Sequence, residues 1–577
     1  MKTTTPLPRH PRPAAGALPA PAGILLLALI ALLQPPGPPA RAADGLPRLE
    51  KRGLVTQLIV DGRPFLALAG ELHNSSSTSR AYMAPHWPRL AAAHLNTVLA
   101  AVPWDVIEPA EGRFDFTLVD HLVADARAHG LRLVLLWFGS WKNGLSHYAP
   151  AWVKADTARF PRARTAQGTL EILSVFSEAA RDADARAYAA LLRHLRETDG
   201  DRHTVIMMQV QNEVGLHADS RDRSALAGAA WAQPVPAALL DHLRQNRDTL
   251  APALRALWRD AGFKTAGAWA EVFGSGPAAG EAFMAWHYAR YVDHVAAAGK
   301  REHALPAFVN AWIVQPSDEL PGEYPSGGPQ AHVLDLWRAA APHIDIFAPD
   351  IYLPNFTQIC SGYARPGAPF FVPESFAGEA GAAAAFVAIG RFGGLGYSPF
   401  GIDSRLDEKN LADDPLVRAY AILRQLAPQI LEHQTRGSIA AVSLDPQNPS
   451  ERIKLGGCDL KAALFTGWRA KGVPERAYGL ILATGPGEFL AAGANLQVTF
   501  ATDPAGDDTV GLAQVEEGVF DASGKWIRGR VLNGDEIMLD YDLGAQAAAR
   551  QTGTGLRFSS PQPVILRAKL YRFPQTK

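Results

Sequence analysis

Two glutamates stand where a carboxylate could do chemistry. Glu213 closes the stretch Gln209-Val210-Gln211-Asn212 at the end of the apolar run Thr204–Val210. Glu374 follows Phe370-Phe371-Val372-Pro373 at the end of another. Pro373 cannot donate a ladder hydrogen bond and belongs at a strand end or bulge, which puts Glu374 at a strand exit. A protonated carboxyl and an ionised carboxylate facing one acetal carbon are what cleavage of a glycosidic bond needs. Burial and a neighbouring negative charge would raise the pKa of the proton donor. Either glutamate alone could simply accept loop amides or sit at a helix N-terminus. Their placement on two opposed strands is what points to catalysis.

The surrounding elements must bring the pair together. Asn96–Val102, Leu131–Phe138, Thr204–Val210, Leu305–Trp312, Ile344–Ala348, Pro369–Val372 and Leu395–Phe400 read as strands that are apolar throughout. Such strands are buried on both faces, which predicts a parallel sheet covered by helices. Helical runs lie between them: Leu118, Leu122, Val123 and Ala126 before a C-terminal Gly130, and Tyr188, Leu191, Leu192 and Leu195. Asp61-Gly62 marks a hairpin turn between Leu58–Val60 and Phe65–Ala69. About eight strand–helix repeats predict an α/β fold, a (β/α)8 TIM barrel, over residues 44–435. In that fold strands four and seven face each other across the mouth. A doubly wound open sheet is the competing architecture, but Gly70-Glu71-Leu72-His73 is not the glycine fingerprint it usually carries. Past residue 436 short apolar runs separated by Gly, Asp, Asn and Pro predict a C-terminal all-β, sandwich-like domain over 436–577.

Composition narrows the function classes. The chain has 577 residues, 47% of them hydrophobic and 20% charged, which excludes a disordered or fibrous protein. Its 56 basic and 57 acidic residues give a net charge of −1, without the basic surplus that nucleic acid binding needs. Two cysteines, Cys360 and Cys458, support neither a disulfide framework nor a thiolate metal site. The histidines form no ligand motif, so no metal and no cofactor are expected. The stretch Gly390–Gly396 lacks the Gly-Lys-Ser/Thr ending of a phosphate loop. Residues 1–43 read as a signal peptide: Lys2, Arg9 and Arg12, then the apolar run Gly23–Leu33, then Ala40-Arg41-Ala42. This predicts export, periplasmic or secreted, with no stable membrane anchor after cleavage; an uncleaved anchor is the rival reading.

Several motifs in order carry a resemblance. Gly70-Glu71-Leu72-His73, Leu95-Asn96-Thr97-Val98 with Val102-Pro103-Trp104, Glu108-Pro109 with Gly112-Arg113-Phe114-Asp115-Phe116, and Gln211-Asn212-Glu213 together resemble glycoside hydrolase family 35 over about residues 50–430. The resemblance implies a retaining β-galactosidase, with Glu213 as general acid/base, Glu374 as nucleophile and Asn212 bonding the sugar near its 2-hydroxyl. Gly396–Asp403 and the β-rich tail look most like the bacterial branch with a distinctive C-terminal domain, which includes enzymes acting on xyloglucan side chains. The chain departs from the pattern twice. Counting back from Pro150-Ala151-Trp152, Asn143 stands where a sugar-binding glutamate is usual, while aligning on Trp141 puts Ser140 there; Val214 stands where many members have tyrosine. Both departures bear on sugar specificity, not on the carboxyl pair.

Aromatic residues at strand exits are the next layer. Trp141, Trp312 and Tyr352 are candidates for stacking on pyranose faces, with barrel-top packing as the alternative. His73, just past the first strand, is a further candidate contact. The expected function is an exported exo-β-galactosidase acting on plant cell-wall oligosaccharides or polysaccharides. A barrel glycosidase for β-glucosides or β-arabinosides, and a non-hydrolytic carbohydrate-binding barrel, remain the alternatives.

Overall fold

The computed structural model describes residues 45–406, 408–466, 472–501, 508–541 and 551–574. Eight parallel strands form its centre: β1 (Ala67–Glu71), β2 (Thr97–Pro103), β3 (Arg132–Lys142), β4 (Val205–Asn212), β5 (Ala307–Trp312), β6 (Ile346–Ile351), β7 (Glu374–Ser375) and β8 (Gly396–Tyr397). They are ordered β7-β6-β5-β4-β3-β2-β1-β8. The ring closes where Val372 bridges Tyr397 in parallel and the Ser398 amide donates to the Val372 carbonyl at 3.0 Å. The expected (β/α)8 barrel is present.

Period-two alternation explains why the strand sequences look apolar throughout. Ala67 and Ala69 of β1, Leu99 and Ala101 of β2, Val134, Leu136 and Phe138 of β3, Phe308 of β5, and Ile346 and Ala348 of β6 share one cluster inside the barrel. Their neighbours, such as Leu68, Val98, Leu135 and Val309, join a second cluster under the helices. Both sets are buried, so neither needs to be polar. The long helices Glu178–Asp199 and Pro277–Glu302 pack against each other outside β3 and β4.

The Asp61-Gly62 turn forms as expected. Both residues have positive φ, 50° and 72°, as a type I′ hairpin requires, and Val60 pairs with Arg63. The expected strand Phe65–Ala69 is instead divided: Arg63–Phe65 finishes the hairpin and Ala67–Glu71 starts the barrel. Leu58 and Val60 of this hairpin pack into the barrel's inner cluster, sealing the end away from the site.

The helix Pro415–Arg436 ends at Gly437, whose φ of 65° suits a left-handed C-terminal cap. Two antiparallel sheets follow, one of six strands and one of five. Alternation again assigns the faces. Ala441, Tyr478, Leu480, Leu482, Leu490 and Ala492 of the six-stranded sheet pack into the barrel's outer core. Val442, Ile481, Phe489, Ala491 and Leu566 point the other way, to meet Leu460, Val498 and Phe500 of the five-stranded sheet. The sheet is therefore buried on both faces, against helix Gly378–Gly390 on one side. Phe386 of that helix meets Tyr478 edge-on at 5.1 Å. The signal-peptide reading falls on residues 1–43, outside the described residues. No helix among the described residues is long and apolar enough to cross a membrane.

Candidate active site

The inward alternation of the barrel strands continues, at their C-terminal ends, into polar side chains. Glu71 follows Ala67 and Ala69, Asn310 follows Phe308, and Asp350 follows Ile346 and Ala348. Glu213 and Glu374 join them from β4 and β7. All five are buried, with Glu213 6% and Glu374 7% exposed. One carboxyl oxygen each of Glu213, Asp350 and Glu374 lies within 4.8 Å of the others. Lys142, buried at the end of β3, is the basic group that acts on Glu71, Glu213 and Glu374.

Glu213 reaches the mouth through an unusual backbone. Gln211 and Glu213 both have left-handed φ, 64° and 45°. A left-handed turn costs a non-glycine residue roughly 1–2 kcal/mol, and buried polar contacts hold it. Gln211 Oε1 accepts the Trp141 amide at 3.0 Å, and Gln211 Nε2 donates to Asp184 Oδ2 at 2.7 Å. Asp184 also accepts from Trp137 Nε1, the Ser140 amide and Ser140 Oγ. The Glu213 amide donates to Asn310 Oδ1 at 3.0 Å. Asn310 Nδ2 in turn donates to Asn212 Oδ1 at 3.0 Å and to Asp350 Oδ2 at 2.7 Å.

Electrostatics separates the carboxyls. Burial, then the charge of Glu374, pushes Glu213 up to about 7, while Lys142 and a hydrogen bond from Asp350 oppose the rise. Burial also raises Glu374, but Lys142 and the Tyr352 hydroxyl act against it. Tyr352 Oη donates to Glu374 Oε1 at 2.9 Å. Glu71 and Asp350 lie well above the carboxylate range, first through burial and next through Glu374. The arrangement suits one ionised carboxylate, Glu374, beside protonated neighbours. Glu213, Asp350 and Glu374 also form the one group among the described residues with a spacing that could hold a cation. Its donors are all carboxyl, and the Lys142 ammonium would repel a second positive charge there.

The residues singled out in the sequence divide in the structure. Glu213 and Glu374 share the mouth, with Asn212 between: Asn212 Nδ2 lies 3.4 Å from Glu213 Oε2 and 3.5 Å from Asn143 Oδ1. Asn143, with a φ of 53°, is half-buried on the loop after β3 and accepts from His217 Nε2 at 3.1 Å. Trp312 ends β5, edge-on to His217 at 5.8 Å. Tyr352 is 40% exposed at the rim. His73 bonds Ser404 Oγ at 2.8 Å and stands edge-on to Phe400 at 5.1 Å. Trp141 corrects the expectation of sugar stacking. It is 0% exposed, bonds the Leu173 carbonyl at 3.2 Å, and packs between Tyr288 and Tyr291 outside the barrel wall. Its outward side follows from alternation, which placed Trp137 there as well.

Glu71, Lys142, Asn310 and Asp350 were not singled out from the sequence. For Glu71, Asn310 and Asp350 the available signal was parity, a polar residue two positions beyond the last inward apolar one; Lys142 keeps the same parity four positions beyond Phe138. A separate cleft of about 690 Å³ opens between helix Gly378–Gly390 and the C-terminal strands, lined by Asn355, Gln358, Phe376, Asn448 and Arg476. None of the mouth carboxyls lines it.

With this geometry in place, comparison with known proteins adds a class. Residues 76–259 match the glycoside hydrolase 42 family profile, described as beta-galactosidase, and residues 416–542 match a domain of unknown function, DUF5597. A beta-galactosidase of Xanthomonas manihotis is 32% identical over 190 residues, which are 31% of this chain and 29% of the relative. The match thus spans under a third of that relative's length. Solved structures of similar fold include a beta-galactosidase from Marinomonas ef1 (11% identity, 64% of this chain and 62% of that one, TM-score 0.42). Another is that of Bacillus circulans sp. alkalophilus (14% identity, 64% and 57%, TM-score 0.42). Over residues 76–259 the barrel is thus similar in sequence to beta-galactosidases. The profile matched over residues 76–259 is that of family 42, whereas the sequence motifs resemble family 35. Gln211-Asn212-Glu213 lies inside the matched span, whereas Gly70–His73 and Glu374 lie outside it.

Proposed function

We propose that the protein is a retaining exo-glycosidase that releases terminal β-galactose by double displacement. The observation that carries this reading is the short gap between Glu213 and Glu374, with carboxyl oxygens within 4.8 Å of each other. Retaining enzymes hold their carboxyls about 5–5.5 Å apart, whereas inverting ones leave about 6.5–9.5 Å for a water. Glu374, kept ionised by Lys142 and oriented by Tyr352, attacks the anomeric carbon. Glu213, whose pKa burial and Glu374 push up to about 7, gives its proton to the departing oxygen. A covalent glycosyl-enzyme forms, and Glu213 then takes a proton from the attacking water. Asn212 stands beside Glu213, where a sugar hydroxyl near the reacting carbon would meet it.

The substrate class we propose is plant cell-wall oligosaccharide, such as xyloglucan side chains. Export through cleavage of residues 1–43 belongs to the same proposal. It rests on the basic start, the apolar run and the small-residue site, and sequencing the N-terminus of the exported protein checks it. The function is tested on aryl β-galactosides. The first sugar released is the β-anomer by NMR, and Glu374→Ala and Glu213→Gln each lower hydrolysis by several orders of magnitude. An α-anomer as first product overturns the mechanism. Full activity on aryl β-glucosides with none on β-galactosides overturns the sugar assignment.

A further inference from the structure

The double displacement uses two of the mouth carboxyls and leaves Asp350 without a role. Asp350 ends the inward row of β6, in register with Glu374 of β7 and Trp312 of β5. It is 3% exposed. One of its oxygens, Oδ2, is occupied by Asn310 Nδ2 at 2.7 Å. The other, Oδ1, is buried and has no N–H or O–H donor, and one oxygen of the Asp350 carboxyl lies within 4.8 Å of one of Glu213. Two carboxyl groups make a favourable contact only when a proton lies between them.

The groups facing Asp350 decide where that proton sits. Glu71 from β1, Glu213 from β4, Glu374 from β7 and the Tyr352 and Tyr363 hydroxyls act on it. Three of the four carboxyls, Glu71, Glu213 and Glu374, feel one ammonium, that of Lys142. Charge balance leaves about one carboxylate, and Glu374, which also accepts from Tyr352, holds it.

We propose that Asp350 is a permanently protonated positioning residue whose hydroxyl donates to one oxygen of Glu213. This role rests on the reading of Glu213 as acid/base. With one Glu213 oxygen accepting from Asp350, the transferable proton resides on the other, aimed at the glycosidic oxygen. After that proton leaves, the same hydrogen bond stabilises the Glu213 carboxylate that must act as base. The Asp350 proton stays in place throughout, so no step consumes it.

Asparagine reproduces a protonated aspartic acid here, accepting from Asn310 through its oxygen and donating to Glu213 through its nitrogen. Asp350→Asn in the full chain should therefore keep kcat on aryl β-galactosides within about threefold and the alkaline limb of kcat/KM within about 0.3 pH unit. Asp350→Ala removes the donor. It should lower kcat by roughly 10–100-fold and move the alkaline limb upward, because Glu213 loses a bond to its charged form. A downward move of the alkaline limb by about one unit in Asp350→Asn would overturn the proposal, since it shows that a negative charge was removed. A loss in Asp350→Asn as deep as in Asp350→Ala would also overturn it.

A second measurement stands apart from turnover. Infrared spectra of protein carrying ¹³C-labelled aspartate should show, at pH 7, a protonated-carboxyl carbonyl band that disappears in Asp350→Asn. Its absence from the wild type would refute the protonated state. If the wild type hydrolysed no β-glycoside, the proposed function would fail, and the infrared result would still decide the state of Asp350.

Discussion

Tyr352 donates its hydroxyl to Glu374 Oε1 at 2.9 Å, and this bond ties the exit of β6 to the exit of β7. It fixes one oxygen of the carboxylate and leaves the other, Oε2, buried with no hydrogen-bond donor. A buried carboxylate oxygen without a donor is costly at rest and is the one free to attack.

Tyr352→Phe is expected to lower kcat by about 10–100-fold, in line with a hydrogen bond to a charged group worth roughly 1.5–3 kcal/mol. The hydroxyl holds the Glu374 pKa down, so its removal raises it. The acid limb of kcat/KM, where the nucleophile must ionise, then moves to higher pH. A pH–rate series on the variant and wild type checks both effects.

The alkaline limb reports Glu213. A group pushed up to about 7 donates its proton well below that pH and loses the ability above it. Wild-type kcat/KM is expected to fall as pH rises through about 7. A rate flat to pH 9 would place the acid elsewhere.

Lys142→Met is expected to move both limbs upward. Lys142 lowers Glu71, Glu213 and Glu374 alike. Without it the Glu374 pKa rises further, so activity on the acid side of the profile drops and recovers in part at higher pH. The pH profile separates this from unfolding, which would abolish activity at every pH.

Asp184→Ala is expected to cost about 3 kcal/mol or more, because Trp137 Nε1, the Ser140 amide and hydroxyl, and Gln211 Nε2 lose one shared acceptor. Gln211 carries one of the two left-handed backbone turns, so kcat should fall as well. Denaturant unfolding gives the first effect and assays below the unfolding transition give the second.

A chain ended at residue 435 is expected to be insoluble or inactive. Every residue of helix Gly378–Gly390 from Gly381 onward is buried, and the C-terminal strands cover it. Expression with size-exclusion chromatography checks this. A soluble, fully active fragment would show that the sheet is dispensable.

The sequence by itself determined the barrel, the onset of the C-terminal strands and the exits that carry Glu213 and Glu374. Long apolar strands alternating with amphipathic helices have few ways to bury both faces, so local pattern was enough. The tertiary structure decided which polar residues share the mouth. Asp350 and Glu71 stand 279 positions apart, and no local pattern relates them; ring closure does, by turning every second residue inward to a common axis. The same geometry sent Trp141 outward to Tyr288 and Tyr291, although its neighbours in sequence serve the site. The carboxyl pKa shifts were also out of reach of the sequence, because they depend on burial and on one buried ammonium beside Glu71, Glu213 and Glu374. Burial and distance, which set those shifts, exist only once the chain has closed.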